Sequence, residues 1–345
     1  MDINIALILG QDGITSGAIY ALLALCIILV FTVTRILLIP LGEFAVFGAL
    51  TLASIQMGEP SLIVWLVVTL FGVNTILDLY AKFKHNQNFS TKTFIFSAIY
   101  ILIMVVAMYK LPLAELAMSL QVLLALAVVT PLGPQIYRTF FQPLVAAKPL
   151  VLLIVSIAVH VALVGIGLVI FGPNGAQTKP FSEASFELGT LVVNSQTLVI
   201  IAAFFVMIFV LWYFFEKTLY GKALHATAVN RVGAQLMGIS PIFAGKLTFI
   251  LAALIGTLSG ILIAPVTTLY YDSGFILSLK GFVGAIIGGL ISFPAAAIGA
   301  VVVGLIESFA MFWASDYKEI IVFTLIIPFL LWKSLTTRHV EEDEE

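Results

Sequence analysis

Charge and cysteine are both scarce in this chain, and each shortage removes a class of protein. Only 10% of its 345 residues are charged, where soluble domains carry about 25%. A water-soluble globular domain is thereby excluded. One cysteine, Cys26, leaves no internal disulfide, and its apolar neighbours suit a small buried hydrophobe. The four histidines, at 85, 160, 225 and 339, are too far apart to suggest a metal set. No metal and no other cofactor is expected. The phosphate cradle Gly-x-x-x-x-Gly-Lys-Ser/Thr is missing: "YGKALH" has Gly221 and Lys222 but no earlier glycine at the needed distance and no following hydroxyl. No Gly-x-Ser-x-Gly nucleophile elbow occurs either. No catalytic constellation assembles, so the chain is not expected to be an enzyme. A cleavable leader is not expected, because the first apolar run has no basic flank and is too long.

Apolar residues are what the chain has, at 61% of the total. They fall in runs long enough to cross a bilayer, which takes about 20 residues in a helix. Hydrocarbon leaves no backbone amide unpaired, and the runs lack the alternation of barrel strands. The expected fold class is all-α: a polytopic helical membrane protein with about eleven spans, nine at the least. The runs are 14–34, 41–57, 61–80, 93–110, 113–133, 150–171, 197–215, 241–264, 279–293, 295–313 and 319–333. One transmembrane domain, 1–345, is expected to contain them all.

Lysine and arginine set the orientation. With the N-terminus outside, twelve of the sixteen fall on the cytoplasmic side, and Lys110, Lys179, Lys280 and Lys318 fall outside. The C-terminus is then cytoplasmic, ending in a solvated acidic tail, Glu341 to Glu345. The longest external segment is 172–196, a place for an external partner.

Two places break the apolar pattern. "RILLIPLGEF", 35–44, sets an arginine, a proline, a glycine and a glutamate inside greasy sequence. Such a break is tolerated at membrane depth only where protein or a water-filled cavity surrounds it. Leu38, Pro40, Leu41, Gly42 and Glu43 are therefore candidate pathway residues, with the intramembrane His160. Glu43 alternatively caps a half-helix, and His160 is alternatively a packed core histidine. Glu307 reads as a partner at a helix interface, Arg35 as a snorkelling cation and Asp78 as an interfacial residue. The run 279–293 is short and is expected to stop at Pro294. Small residues four apart, such as Gly256 and Gly260, suit close helix packing.

The second break is 216–240, a cytoplasmic segment rich in small and polar residues. A short helix over Ala223–Ala228 is expected to lie along the membrane face and Gly238 to end a helix. Its sequence, "YGKALHATAVNRVGAQLMGIS", resembles the cytoplasmic loop of LivH-type permeases of branched-chain amino acid ABC importers. The likeness continues in "GAIYALLALCIILVFTVTRI" (17–36), "GEFAVFGAL" (42–50), "QPLVAAKPLVLLIVSIAV" (142–159), "LKGFVGAIIGGLISFPAAAIGAVVVGLIESF" (279–309) and "SDYKEIIVFTLIIPFLLWK" (315–333). It covers roughly two-thirds of the chain, in the family's order.

The resemblance implies a bacterial inner-membrane permease subunit that moves a small solute. It implies partners: two ATP-binding subunits that carry the ATPase activity, a second permease, homologous or identical, and an extracytoplasmic solute-binding protein. Besides these only the lipid bilayer is expected, and no nucleic acid. The ATPase-coupling residues carried over are Tyr220, Gly221, Lys222, Ala223, Leu224, Asn230, Arg231, Leu236, Met237 and Gly238. Two departures stand out. The family pattern Asn-Phe-Ala-His-Gly-Glu is Leu38, Ile39, Pro40, Leu41, Gly42 and Glu43 here, so an amide and an imidazole are lost. The solute is thus a branched-chain amino acid or a related apolar or aromatic carboxylate. The interval 58–137 also holds an insertion with two extra spans. The competing readings are an ion-coupled secondary transporter of a small organic solute and a non-transporting scaffold. The first calls for paired intramembrane acids and inverted repeats, neither of which is evident.

Overall fold

The computed structural model describes residues 3–85, 91–145, 147–188, 191–290 and 292–336. The acidic tail, Arg338 and His339 lie outside the described residues. The helices are α1 (Ile3–Thr34), α2 (Leu41–Met57), α3 (Ile63–His85), α4 (Thr91–Lys110), α5 (Met118–Val129), α6 (Leu132–Ile136), α7 (Pro149–Phe171) and α8 (Ser195–Lys217). They continue as α9 (Leu219–Val229), α10 (Arg231–Leu236), α11 (Pro241–Ile263), α12 (Gly274–Ile287), α13 (Phe293–Trp313), α14 (Lys318–Thr324) and α15 (Ile326–Thr336). Among the described residues seven helical stretches are long and apolar enough to cross a membrane, with α2, Phe94–Lys110 and α12 shorter but apolar. The chain is a polytopic helical membrane protein.

α1 is the central post. Its residues from Ala18 to Val30 are almost wholly buried. It packs on α13 through glycine: a Cβ on Gly17 would stand 2.7 Å from Val301 Cα, and one on Gly304 would stand 2.4 Å from the Gly17 nitrogen. α2 crosses α11 equally closely, since a Cβ on Gly260 would lie 1.7 Å from the Ala45 carbonyl oxygen. Lipid tails are as apolar as leucine, so close backbone approach and dispersion hold such helices together.

Three expectations need correction. Pro294 does not stop a helix; it lies in the first turn of α13, where its missing N–H costs nothing, and Ser292 caps the same end. The short helix before it starts earlier than the apolar run, at Gly274, and ends at Ile287. The last run is two helices, parted at Leu325; Pro328 has no N–H to offer the Thr324 carbonyl four residues back. The segment 172–196 also holds an antiparallel hairpin, β1 (Ser185–Leu188) with β2 (Leu191–Asn194), pairing Ser185 with Asn194.

Gly260→Val is expected to disrupt the α2–α11 crossing and lower the melting temperature of the purified protein, because overpacking against backbone has no side chain to displace. Gly165→Ala, with nothing within 4 Å of its Cβ position, is the control and should leave the melting temperature unchanged.

Candidate transport site

The break between α1 and α2 is a re-entrant peptide. α1 ends beside Pro241, since Val33, Thr34 and Ile36 share a small cavity with Pro241 and Arg231. α2 begins against Gly256, whose Cβ position lies 3.3 Å from the Leu41 carbonyl oxygen. Gly256 is fifteen residues along α11 from Pro241, about 22 Å at helical rise. Residues 35–40 therefore climb back into the bundle. Arg35 makes the turn, with a left-handed φ of 61°, a conformation that costs a non-glycine residue about 1–3 kcal/mol.

The climbing backbone is satisfied by side chains. Ile39 N–H donates to Ser156 Oγ of α7 at 2.9 Å. Ser278 Oγ of α12 donates to the Ile39 carbonyl at 3.0 Å and accepts from the Gly42 N–H at 2.6 Å. Ile36 N–H reaches Thr34 Oγ1 at 3.3 Å. The contact between α2 and α12 needs two glycines: a Cβ on Gly42 would lie 1.8 Å from the Gly274 carbonyl oxygen.

Glu43 lies in the first turn of α2 and is fully buried. Its Oε1 is 2.8 Å from His160 Nδ1, and its Oε2 is buried without a hydrogen-bond partner. The first residue of α12, Gly274, adjoins it, with Glu43 Oε1 2.9 Å from the Gly274 Cβ position. Two helix N-termini, each carrying partial positive charge, thus flank one carboxylate. The His160 side chain is 14% exposed and lies against the Phe275 ring, centroids 5.1 Å apart. Its neighbours on α7, Ile157 and Val161, are bare.

Of the six candidate pathway residues, the fold joins Gly42, Glu43 and His160 directly. Leu38, Pro40 and Leu41 are buried in the re-entrant peptide and its junction with α2, so none of them lines an open passage in this conformation. The imidazole missing at position 41 has a counterpart from another helix, His160, which sequence distance concealed.

A second buried pair was harder to foresee. Lys280, counted on the outer side at the start of the run 279–293, is buried inside α12. Its Nζ is 2.5 Å from Glu307 Oε1 of α13 and 3.5 Å from Tyr20 Oη of α1. The motif "LSLKGF" carried the signal, with a lone lysine amid apolar and small residues. This pair anchors the opposite face of α12 from the one that meets Glu43.

The segment 216–240 is capped and packed at several points. Thr218 Oγ1 accepts from the Gly221 N–H and caps α9; Asn230 Oδ1 accepts from the Gly233 N–H and caps α10. Gly221 is pressed under α8, its Cβ position 2.1 Å from the Phe214 carbonyl oxygen. Leu224 is wholly buried, and Arg231 donates to the Val145 carbonyl. Lys222 is exposed and Ala223 half-buried. Gly238, at φ 85°, turns the chain out of α10. Tyr220, Leu236 and Met237 stand out in the open, the last two 83% exposed.

The family described as "Branched-chain amino acid transport system / permease component" matches residues 11–330. The chain belongs to this permease family. Among curated relatives, the high-affinity branched-chain amino acid transport system permease protein BraD of Pseudomonas aeruginosa is 26% identical over 262 residues, covering 73% of this permease and 83% of its own length. The corresponding protein LivH of Escherichia coli K12 is 26% identical over 217 residues, covering 60% of this permease and 70% of its own length. Among solved structures, PsaBC from Streptococcus pneumoniae in complex with Fab aligns over 93% of the permease and 89% of that chain, at 10% identity and a TM-score of 0.36. That likeness is too slight to bear on the fold or the function.

Removing one partner of a buried ion pair leaves a stranded charge, at a cost of about 3–5 kcal/mol. Lys280→Met alone should therefore lower the melting temperature and membrane yield of the permease sharply. Lys280→Met with Glu307→Leu should recover most of that loss. Both are read by thermal unfolding in detergent.

Proposed function

We propose that this permease is the membrane-spanning part of an ATP-binding-cassette importer, driven through α9 and α10 by a separate ATP-binding subunit. The family membership supports the permease role. The observation that carries the coupling reading is the exposure of Tyr220, Leu236 and Met237, with Leu219, Val229 and Val232, on a segment tied to the bundle through Gly221, Leu224 and Arg231. Exposed apolar side chains on rigid backbone mark a protein interface. In this reading the segment faces the cytoplasm, as the lysine and arginine distribution favours; the burial of Lys280 leaves three basic residues on the outside and strengthens that bias.

The solute passes along the outer face of α7, beside His160. A histidine backed by a buried glutamate is costly against lipid, about 2.5–3.5 kcal/mol per ionised group at mid-bilayer on insertion scales. A second permease, identical or homologous, covers this face and encloses the path. Glu43, held by His160 and two helix N-termini, orients the ammonium group of an amino acid or closes the way between openings. The solute is a branched-chain amino acid or a related apolar or aromatic carboxylate. An extracytoplasmic binding protein delivers it to the side formed by 172–196 and the hairpin. The insertion, α3 and α4 with their flanks, adds spans at the edge. Asp78 of α3 pairs with Arg138 there, and Asn74 bonds to Gln135.

Leu236→Asp with Met237→Asp changes only exposed groups. The double variant is expected to insert and fold normally, yet to lose co-purification of the ATP-binding subunit and solute-stimulated ATPase activity in the reconstituted complex by at least an order of magnitude, since losing two apolar anchors of about 2 kcal/mol or more each suffices. Normal coupling would rule this docking site out.

A further inference from the structure

A cavity of about 810 Å³ lies between α1, α8, α9 and α13. It uses none of α2, α7 and α12, the helices around Glu43 and His160. Its walls are apolar, with Leu25 and Leu29 from α1, Leu211 from α8, Leu224 from α9 and Ala297 from α13. Its polar and charged groups gather at one end. Arg35 follows α1, Glu216 is one residue from the end of α8, and His225 lies on α9. From Leu25 to Arg35 is ten residues, about 15 Å of rise, or half of a hydrocarbon core about 30 Å thick. The cavity is thus one leaflet deep. It also opens sideways: Ile298 and Trp212 line it and are 67% and 52% exposed, and Phe209 beside them is equally bare. Indole rings favour the boundary between lipid and water.

We propose that this cavity binds a phospholipid of the cytoplasmic leaflet with a zwitterionic, ammonium-bearing headgroup. One acyl chain lies along the leucine wall. The Arg35 guanidinium takes the phosphate through paired N–H donors, and Glu216 takes the ammonium. The lipid then fills the space behind α9, whose buried Leu224 forms part of the wall, so the docking helix moves against lipid rather than against a void. Depth, lateral opening and charges of both signs at one end fit a lipid better than the transported solute, whose proposed path lies on α7. The assignment borrows from the function above only the orientation that names the leaflet.

The test uses the assembled transporter in vesicles of phosphatidylethanolamine and phosphatidylglycerol containing a phosphatidylethanolamine with a photoreactive acyl chain. Crosslinks are expected to concentrate on 25–35, 208–216 and 293–298. Ile298→Trp fills the cavity from an exposed position and should cut those crosslinks roughly tenfold, the equivalent of about 1.4 kcal/mol, without changing labelling of α4. Arg35→Gly suits the left-handed backbone there, removes the phosphate partner, and should lower the same crosslinks. Uniform labelling of all lipid-facing helices, or indifference to both variants, would overturn the proposal. So would loss of the crosslinks on adding excess leucine, which would give the cavity to the solute. Crosslinking does not need the ATP-binding subunit, so its failure leaves the docking reading standing, and the converse holds.

Discussion

Hydrocarbon supplies no hydrogen bonds, and the peptide from Arg35 to Pro40 must find its partners inside the protein. The bundle is arranged around that need. Ser156 and Ser278 approach from α7 and α12 to hold Ile39 and Gly42. α12 can reach the break because Gly42 and Gly274 let the two backbones touch. It stays there because Lys280 ties its far side to Glu307. The same arrangement lets α2 start deep in the bundle, which puts Glu43 in a first helical turn at a depth where a carboxylate needs support. His160 and the two helix ends give it that support.

The segment proposed to dock the ATP-binding subunit and the break are joined by continuous packing. Arg231 bonds to the Val145 carbonyl, beyond the π-helical turn Tyr137–Phe141. Tyr137 and Phe141 pack on Phe249 of α11, and Tyr137 also fills the space over Gly245. α11 then meets Leu41 and Phe44 at Gly256. A single π turn inside an α-helix is a common mark of a functional site. Force on α9 and α10 thus has a short physical route to the start of α2.

Much of this was legible in the sequence, for reasons that differ by residue. Apolar runs report helices well because the bilayer fixes their length: each of the eleven falls on helix, although seven helical stretches among the described residues are long and apolar enough to cross a membrane and 319–333 is two short helices. "RILLIPLGEF" announced a break because proline and glycine punctuate any helix. The partners of that break were not legible. Ser156 and Ser278 look like ordinary polar residues in apolar helices, and only the fold brings them within 3.0 Å of Ile39. Lys280 was misplaced because a charge rule counts lysines without knowing which are buried in pairs. Pro294 was misread because proline looks alike at the start of one helix and the end of another. In the docking segment composition marked the region, but not which residues face outward: Leu224 and Leu236 look equivalent in sequence, yet one is wholly buried and the other 83% exposed.

The central claim is that the α7 face over His160 and Glu43 belongs to the solute path. Cysteine labelling at Val161, 63% exposed on that face, tests it directly, and the native Cys26 is fully buried and adds little background. In the assembled transporter, a membrane-impermeant thiol reagent should reach Val161→Cys in one stage of the nucleotide cycle and be excluded in another, with transported solute slowing the reaction. Labelling only by lipid-soluble reagents, at the same rate in every stage, would place that face against lipid and contradict the account.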